Sequence, residues 1–374
     1  MEFVCAKTVL LHGVLIVSNA IPSSTSESVL LNILLKAEDE GKSLSLFATD
    51  NRISIRQKLP IKMELGGELS VPGGLFSDIL QSIQTVSAEE VRLSTSEDNK
   101  IEISSEDATY NITGTDPRSF PLIPSPEGEI EFKLTGDQLR NSIRQVAVTA
   151  SAGPGVAQGY DKALMAASDG MLTTVTTDTV RLAVKKEKIE NLPDFEIMVP
   201  IHALQELYKV LTASAEVKVL ISDDQISFTF GETEFQARLC EHEFPDYRKI
   251  IPKEHSRTFA VEAKAFTDAI KGVLPVAREN KNKVHLELKD SQLIVTAQSH
   301  EGRARRQLPA EISGEEIELA FNAKFILDFL AVADAKKVTW GVTSSIHPAT
   351  IEPIYEKETK DEKSYLYLLM PINI

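Results

Sequence analysis

A chain that repeats itself is restricted in what it can become, because any face one copy buries must find an equivalent burial in the others. Three segments share a capping or proline-bearing start followed by apolar residues at helical spacing: "VPGGLFSDILQSIQ" from Val71, "VPIHALQELYKVLTAS" from Val199 and "FNAKFILDFLAVAD" from Phe321. Their starts lie 128 and 122 residues apart. In the first, Leu75, Ile79, Leu80 and Ile83 read as the apolar stripe of an amphipathic helix, with Pro72 suited to its first turn. A second helical pattern precedes each segment, starting near Lys7, Thr135 and Val261. Every repeat therefore holds two helices.

Between the helices the apolar period shortens to two. "VKVLISDDQISFTFGETEFQARL" reads as three strands with turns at Asp223–Asp224 and Gly231–Glu232, and "VHLELKDSQLIVTAQ" as a hairpin with Val284, Leu286 and Leu288 on one face. "LSLFATDNR" and "LTTVTTDTVR" place Asp50 and Asp178 128 residues apart, in the register of the helices. Proline-rich connectors at 116–128 and 243–255 punctuate the repeats. The expected fold class is α+β: three modules, 1–125, 126–253 and 254–374, each with two helices packed on an antiparallel sheet.

Chemistry is hard to find. The seven histidines form no metal or protease motif, no phosphate-binding G-x-x-x-x-G-K-[ST] occurs, and "GPGVAQG" (153–159) misses the dinucleotide spacing and reads as a loop. Cys5 and Cys240 stand far apart with no C-x-x-C pair. We expect no catalytic centre, no cofactor and no metal, which sets an enzyme on this scaffold well behind a binding protein. No apolar run reaches the roughly 18–20 residues that span a bilayer, and the start carries an acid at Glu2 and no small-residue cleavage pattern, so no membrane partner and a cytoplasmic location are expected. Trp340, in the alternating run "KVTWGV", reads as core. "RARR" (303–306) fits either a phosphate contact or a solvated strand face. A net charge of −15 argues against nucleic-acid affinity by charge alone, although Lys/Arg and Asp/Glu balance over the six expected helices and the excess acid falls in strands and loops.

The triplication, "TTDTVRLAV" (176–184), "HEFPDYRKIIP" (242–252) and the apolar end "YLYLLMPINI" (365–374) together resemble the bacterial DNA polymerase III beta subunits, the DNA sliding clamps, over essentially the whole sequence. The resemblance implies a head-to-tail homodimer closing into a ring of six modules, helices lining a hole for duplex DNA. It also implies a hydrophobic cleft where peptides of the polymerase III catalytic subunit, the clamp loader, other polymerases and repair proteins dock. Carried over by position, the cleft takes Thr177, Arg181 and Leu182; Pro245 and Ile250; Ile346 and Pro348; and Leu368, Leu369, Met370, Pro371 and Ile372. Lys7, Arg140, Arg144, Lys264 and Lys271 would face DNA, and Tyr110, Ile112 and Leu274 the other subunit. The sequence departs from the family pattern at Thr179–Val180, where Gly-His is usual, and "IPSSTSES" (21–28) lacks the arginine often found in that loop. A protein scaffold of the same fold that never encircles DNA is the alternative.

Overall fold

The helical periods become six α-helices among the described residues: α1 (Lys7–Val17), α2 (Gly73–Ser82), α3 (Gly136–Ala147), α4 (Ile201–Val210), α5 (Ala263–Arg278) and α6 (Ala323–Leu330). The computed structural model describes residues 1–374 apart from 39–42, 84–88, 97, 107, 129, 151–159, 242, 356–362 and 374, so the glycine-rich run 153–159 lies outside the described residues. The strands form four sheets, and every named strand pair among the described residues is antiparallel.

The protein divides into two compact units, Met1–Asp137 with Ala203–Leu239, and Gln138–His202 with Cys240–Ile374. The middle repeat contributes to both. Hydrogen-bonded ladders cause this division: Thr233–Arg238 of the middle repeat pairs with Ile53–Pro60 of the first, and Arg181–Lys188 pairs with Lys363–Leu369 of the third.

In the first unit an eight-stranded sheet runs in the order Ile130–Thr135, Glu216–Ile221, Gln225–Phe230, Thr233–Arg238, Ile53–Pro60, Ser43–Thr49, Asn32–Glu38, Gly67–Pro72. A five-stranded sheet, ending at the edge strand Thr109–Thr113, completes it. Leu10, Val14 and Val17 carry the buried face of α1. Gly13 lets that helix close on the sheet, because a Cβ there would stand 2.8 Å from Leu59 Cδ1.

The second unit holds a nine-stranded sheet with the order Phe195–Pro200, Lys162–Ser168, Met171–Thr177, Arg181–Lys188, Lys363–Leu369, Ala349–Pro353, Lys337–Val342, Arg257–Glu262, Glu311–Ser313. A four-stranded sheet with Arg303–Pro309 at its edge lies in the same unit. Its core is aromatic. Trp340 is fully buried, stacked on Phe259 at 5.3 Å and edge-on to Phe266 at 5.9 Å and Phe321 at 5.4 Å.

Two expectations need correction here. The stripe of α2 is Phe76, Ile79, Leu80 and Ile83, while Leu75 is 50% exposed. An aromatic at i with partners at i+3, i+4 and i+7 fits one helix face better than the i, i+4, i+5, i+8 set that starts from Leu75. Ile112 is 2% exposed, so it packs inward from its edge strand and offers no apolar surface to another subunit.

The corrected helix phase can be tested. Phe76→Ala should cost about 3–5 kcal/mol of unfolding free energy, and Leu75→Ala no more than about 0.5 kcal/mol, read from urea transitions followed by circular dichroism. Equal costs would place the wrong face of α2 against the sheet.

Candidate functional site

Between the strands Met171–Thr177 and Arg181–Lys188 the backbone must reverse within three residues, and the side chains on either flank hold it there. Thr177 Oγ1 donates to the Arg181 carbonyl at 2.8 Å and accepts from the Thr179 amide at 3.3 Å. Asp178 Oδ1 accepts from the amides of Val180 (3.0 Å) and Arg181 (2.9 Å). Thr179 at the apex has φ = +78°, a left-handed conformation costly for a β-branched residue. The same turn occurs at Thr49–Ile53 in the other unit, where Asn51 takes the strained position at φ = +70°. Asparagine tolerates that region; threonine must be held in it.

Arg181 ties the turn to α6. Its guanidinium reaches Asp178 at 2.8 Å and Asp328 at 2.6 Å, and lies over the Phe325 ring at 4.1 Å. Burial opposes its charge, but Tyr367, Asp178 and Asp328 outweigh that and hold the pKa above its ordinary value. Arg181 is therefore a structural clamp with its donors engaged by neighbouring carboxylates.

Strand register orders the rest. Leu182 lies opposite Leu368, which lies opposite Thr350; Val184 lies opposite Leu366. One step beyond the Arg181–Leu369 pair, the Met370 amide donates to the Val180 carbonyl at 2.9 Å, and Pro348 precedes Ala349, the partner of Leu369. Leu182 (0% exposed) and Leu368 (2%) share a small buried apolar cluster with Leu164, Val175, Val184 and Tyr247, with Phe244 and Ile251 packed on it, so they form a floor and offer little surface of their own. On the adjoining segments large aliphatics stand in solvent: Val180 is 40% exposed, Ile250 50% and Ile346 69%. Pro245 is exposed; Pro348, Met370, Pro371 and Ile372 are half-buried.

The apolar tail is anchored. The Ile372 amide donates to the Ala320 carbonyl at 2.7 Å, and Lys283 Nζ donates to the Asn373 carbonyl at 2.7 Å. The strand therefore both fills the unit and presents side chains at its rim.

The structure brings Thr177, Arg181, Leu182, Leu368 and Met370 together through hydrogen-bonded pairing. Leu369 departs from the expectation: it is fully buried in the core on the opposite face, with Phe329 and Trp340, because neighbours on a strand point to opposite sides. Sequence reasoning missed Tyr247, which roofs the cluster, and Asp328 and Phe325, which hold Arg181. Tyr247 stood inside the motif "HEFPDYRKIIP"; Asp328 and Phe325 carried no sequence signal, since they meet Arg181 only in the fold.

Lys7 is 5% exposed, so an amine expected to face DNA is enclosed within the fold. Arg144 is ion-paired with Asp334, and Lys264 with Asp268 at 3.0 Å. Arg140 is half-buried and Lys271 exposed. Tyr110 shares a 3.3 Å hydrogen bond with Ser82, and Leu274 is partly buried against the core of its own unit.

Residues 1–124, 133–246 and 248–372 match the family models described as the N-terminal, central and C-terminal domains of the DNA polymerase III beta subunit. The protein is similar to the beta sliding clamp of Halalkalibacterium halodurans, 29% identical over 394 residues spanning 100% of this sequence and 99% of that one. It is 27% identical over 389 residues to the Bacillus subtilis beta sliding clamp, spanning 100% and 99%. Among solved structures, the DNA polymerase sliding clamp from Bacillus subtilis superposes with a TM-score of 0.93 at 25% identity, covering 100% of this protein and 99% of that one. A putative DNA polymerase III beta subunit from Eubacterium rectale gives 0.92 at 25% identity, covering 100% of both.

If the turn holds Thr179 against its preference, Thr179→Asn should stabilise the protein by about 1 kcal/mol. A higher urea midpoint with an unchanged slope would show it; an unchanged or lower midpoint would mean that the apex stores no strain.

Proposed function

The protein belongs to the DNA polymerase III beta subunit family, and from that membership we propose that it acts as a DNA sliding clamp. Three modules, 1–125, 126–253 and 254–374, make one subunit. Two subunits close head to tail into a ring around duplex DNA, opened and loaded by a clamp loader. The protein catalyses no reaction. It tethers the polymerase III catalytic subunit and other polymerases and repair proteins, and it works in the cytoplasm.

The observation that carries this reading is the match to all three domain models along the sequence. The cleft geometry supports the tethering half. Ile250 and Ile346 are exposed on segments that adjoin the site in sequence, Ile250 next to Ile251 of the apolar cluster and Ile346 two residues before the half-buried Pro348, while the buried Leu182 and Leu368 and the half-buried Met370 would form the floor. Thr177, Arg181, Pro245, Pro371 and Ile372 complete the proposed cleft. Burying one apolar anchor is worth about 1.5–3 kcal/mol, so a few anchors and hydrogen bonds point to a micromolar Kd, about −8 kcal/mol. That affinity permits one partner to replace another.

Retention on DNA tests the ring. Protein loaded by a clamp loader and ATP onto nicked circular plasmid should stay bound through gel filtration in high salt and run off once the plasmid is linearised. Equal loss from both forms would instead support a scaffold of the same fold that never encircles DNA. The cleft has its own test: Ile250→Ala should weaken a fluorescent peptide bearing Gln, Leu and Phe anchors by about tenfold, the effect of roughly 1.4 kcal/mol. An unchanged Kd would remove Ile250 from the docking surface.

A further inference from the structure

Beside the cleft, on the same face of the nine-stranded sheet, lies a cavity of about 390 Å³ within the range of small-ligand pockets. Val184, Leu366 and Ile251 give it an apolar floor, and Thr350 and Ser364 line it with hydroxyls. His255 Nε2 lies 2.9 Å from Thr350 Oγ1. Two cations, Lys186 and Arg248, converge on the cavity, and both are exposed. Neither has an ion-pair partner among the described residues, although the protein carries 55 acidic against 40 basic residues and many of its surface cations are paired. Arg248 is positioned by stacking on Tyr247, with its guanidinium 4.9 Å from the ring centroid. Glu352 also lines the cavity, so its described lining residues carry two cations and one carboxylate, and Asp246 interacts with Arg248 from outside it.

We propose that this cavity receives the C-terminal residue of a polypeptide docked in the neighbouring cleft: an aliphatic group against Val184 and Leu366, and the free α-carboxylate between Lys186 and Arg248. The inference rests on the cleft reading above. An aliphatic group and a carboxylate within one residue are what the C-terminus of a polypeptide supplies. The reach agrees: Val180 and Lys186 lie along one strand direction six positions apart, about 20 Å, which an extended peptide covers in about six residues.

The test uses the full-length protein and fluorescent peptides in which a Gln-, Leu- and Phe-bearing anchor block is separated by four to six residues from a terminal leucine. Each is made with a free carboxylate and as the amide. The acid should bind about tenfold more tightly, with the advantage shrinking in high salt. Lys186→Ala/Arg248→Ala, at exposed positions, should erase that advantage while leaving the amide's Kd unchanged. Equal binding of acid and amide, both lost in Ile250→Asp, would keep the cleft and overturn the terminal subsite. Binding indifferent to Ile250→Asp would instead overturn the cleft reading itself. An amidated peptide ending in Leu-Glu that matches the free acid would show that the cavity takes an internal carboxylate, and would overturn the terminus. N-acetyl-leucine alone, shifting the NMR signals of Val184 and Leu366 while the two peptides bind equally, would assign the cavity to a free small acid and overturn it likewise.

Discussion

The ladder between Arg181–Lys188 and Lys363–Leu369 is the constraint on which the candidate site depends. It joins segments far apart in sequence in a seven-residue antiparallel register from Arg181–Leu369 to Glu187–Lys363, and a slip of one residue would turn every side chain to the other face. One face of the pairing belongs to the core: Ala183, Tyr365, Tyr367 and Leu369 pack with Phe329 and Trp340. Hydroxyls fix that face as well, Tyr365 donating to the Gln145 carbonyl at 2.8 Å and Tyr367 to the Phe325 carbonyl at 3.0 Å. With those groups locked, Leu182, Leu368 and Leu366 have only the outer face left. The position of the proposed docking surface follows from the packing of the opposite side.

Such a ladder tolerates a buried charge only if it is answered. Lys185 is 2% exposed on the core side, its pKa lowered by burial with Glu187 opposing that shift from 2.8 Å. Arg181 solves the same problem at the strand's start with two carboxylates and an aromatic face. Removing Glu187 would leave the Lys185 ammonium, and removing Arg181 the Asp178 carboxylate, largely buried and without an ionic partner, which costs more than the pair itself contributes. This is the physical reason that "TDTVR" reads as a unit. Asp178 caps the turn with one oxygen and holds Arg181 with the other, so the backbone reversal and the guanidinium clamp stand or fall together.

The repeat, the six helices and the strand pattern were legible in the sequence because they are written in local periods. What could not be read was set by partners distant in sequence. Leu75 and Phe76 are both apolar, and only the sheet beneath α2 decides which one turns inward. A run such as Leu368, Leu369 and Met370 looks uniformly suited to a docking surface until the core claims Leu369. The division of the middle repeat between two compact units was invisible for a similar reason, since hydrogen-bond ladders follow strand edges and are indifferent to repeat boundaries. Part of the candidate site's arrangement was nonetheless readable. Thr177, Arg181, Leu182 and Leu368 fall together, while Asp328 and Phe325 come from a helix that no motif connects to them.

Charge placement bears on how the proposed ring would hold DNA. Affinity for a phosphate backbone comes from cations that release condensed counterions when they bind. A lysine already paired, as Lys264 is with Asp268, must surrender that partner before it can take a phosphate, and an enclosed amine such as Lys7 must first be freed from the fold. The net electrostatic gain per contact is correspondingly small, in a protein whose overall charge is −15. For a protein that grips its ligand by contact this would be a defect. A closed ring keeps DNA by topology, so each strong phosphate contact would add friction without adding retention. Weak, exchangeable contacts with DNA and a well-braced apolar cleft for proteins are then two parts of one requirement: the platform must move freely while its cargo stays attached.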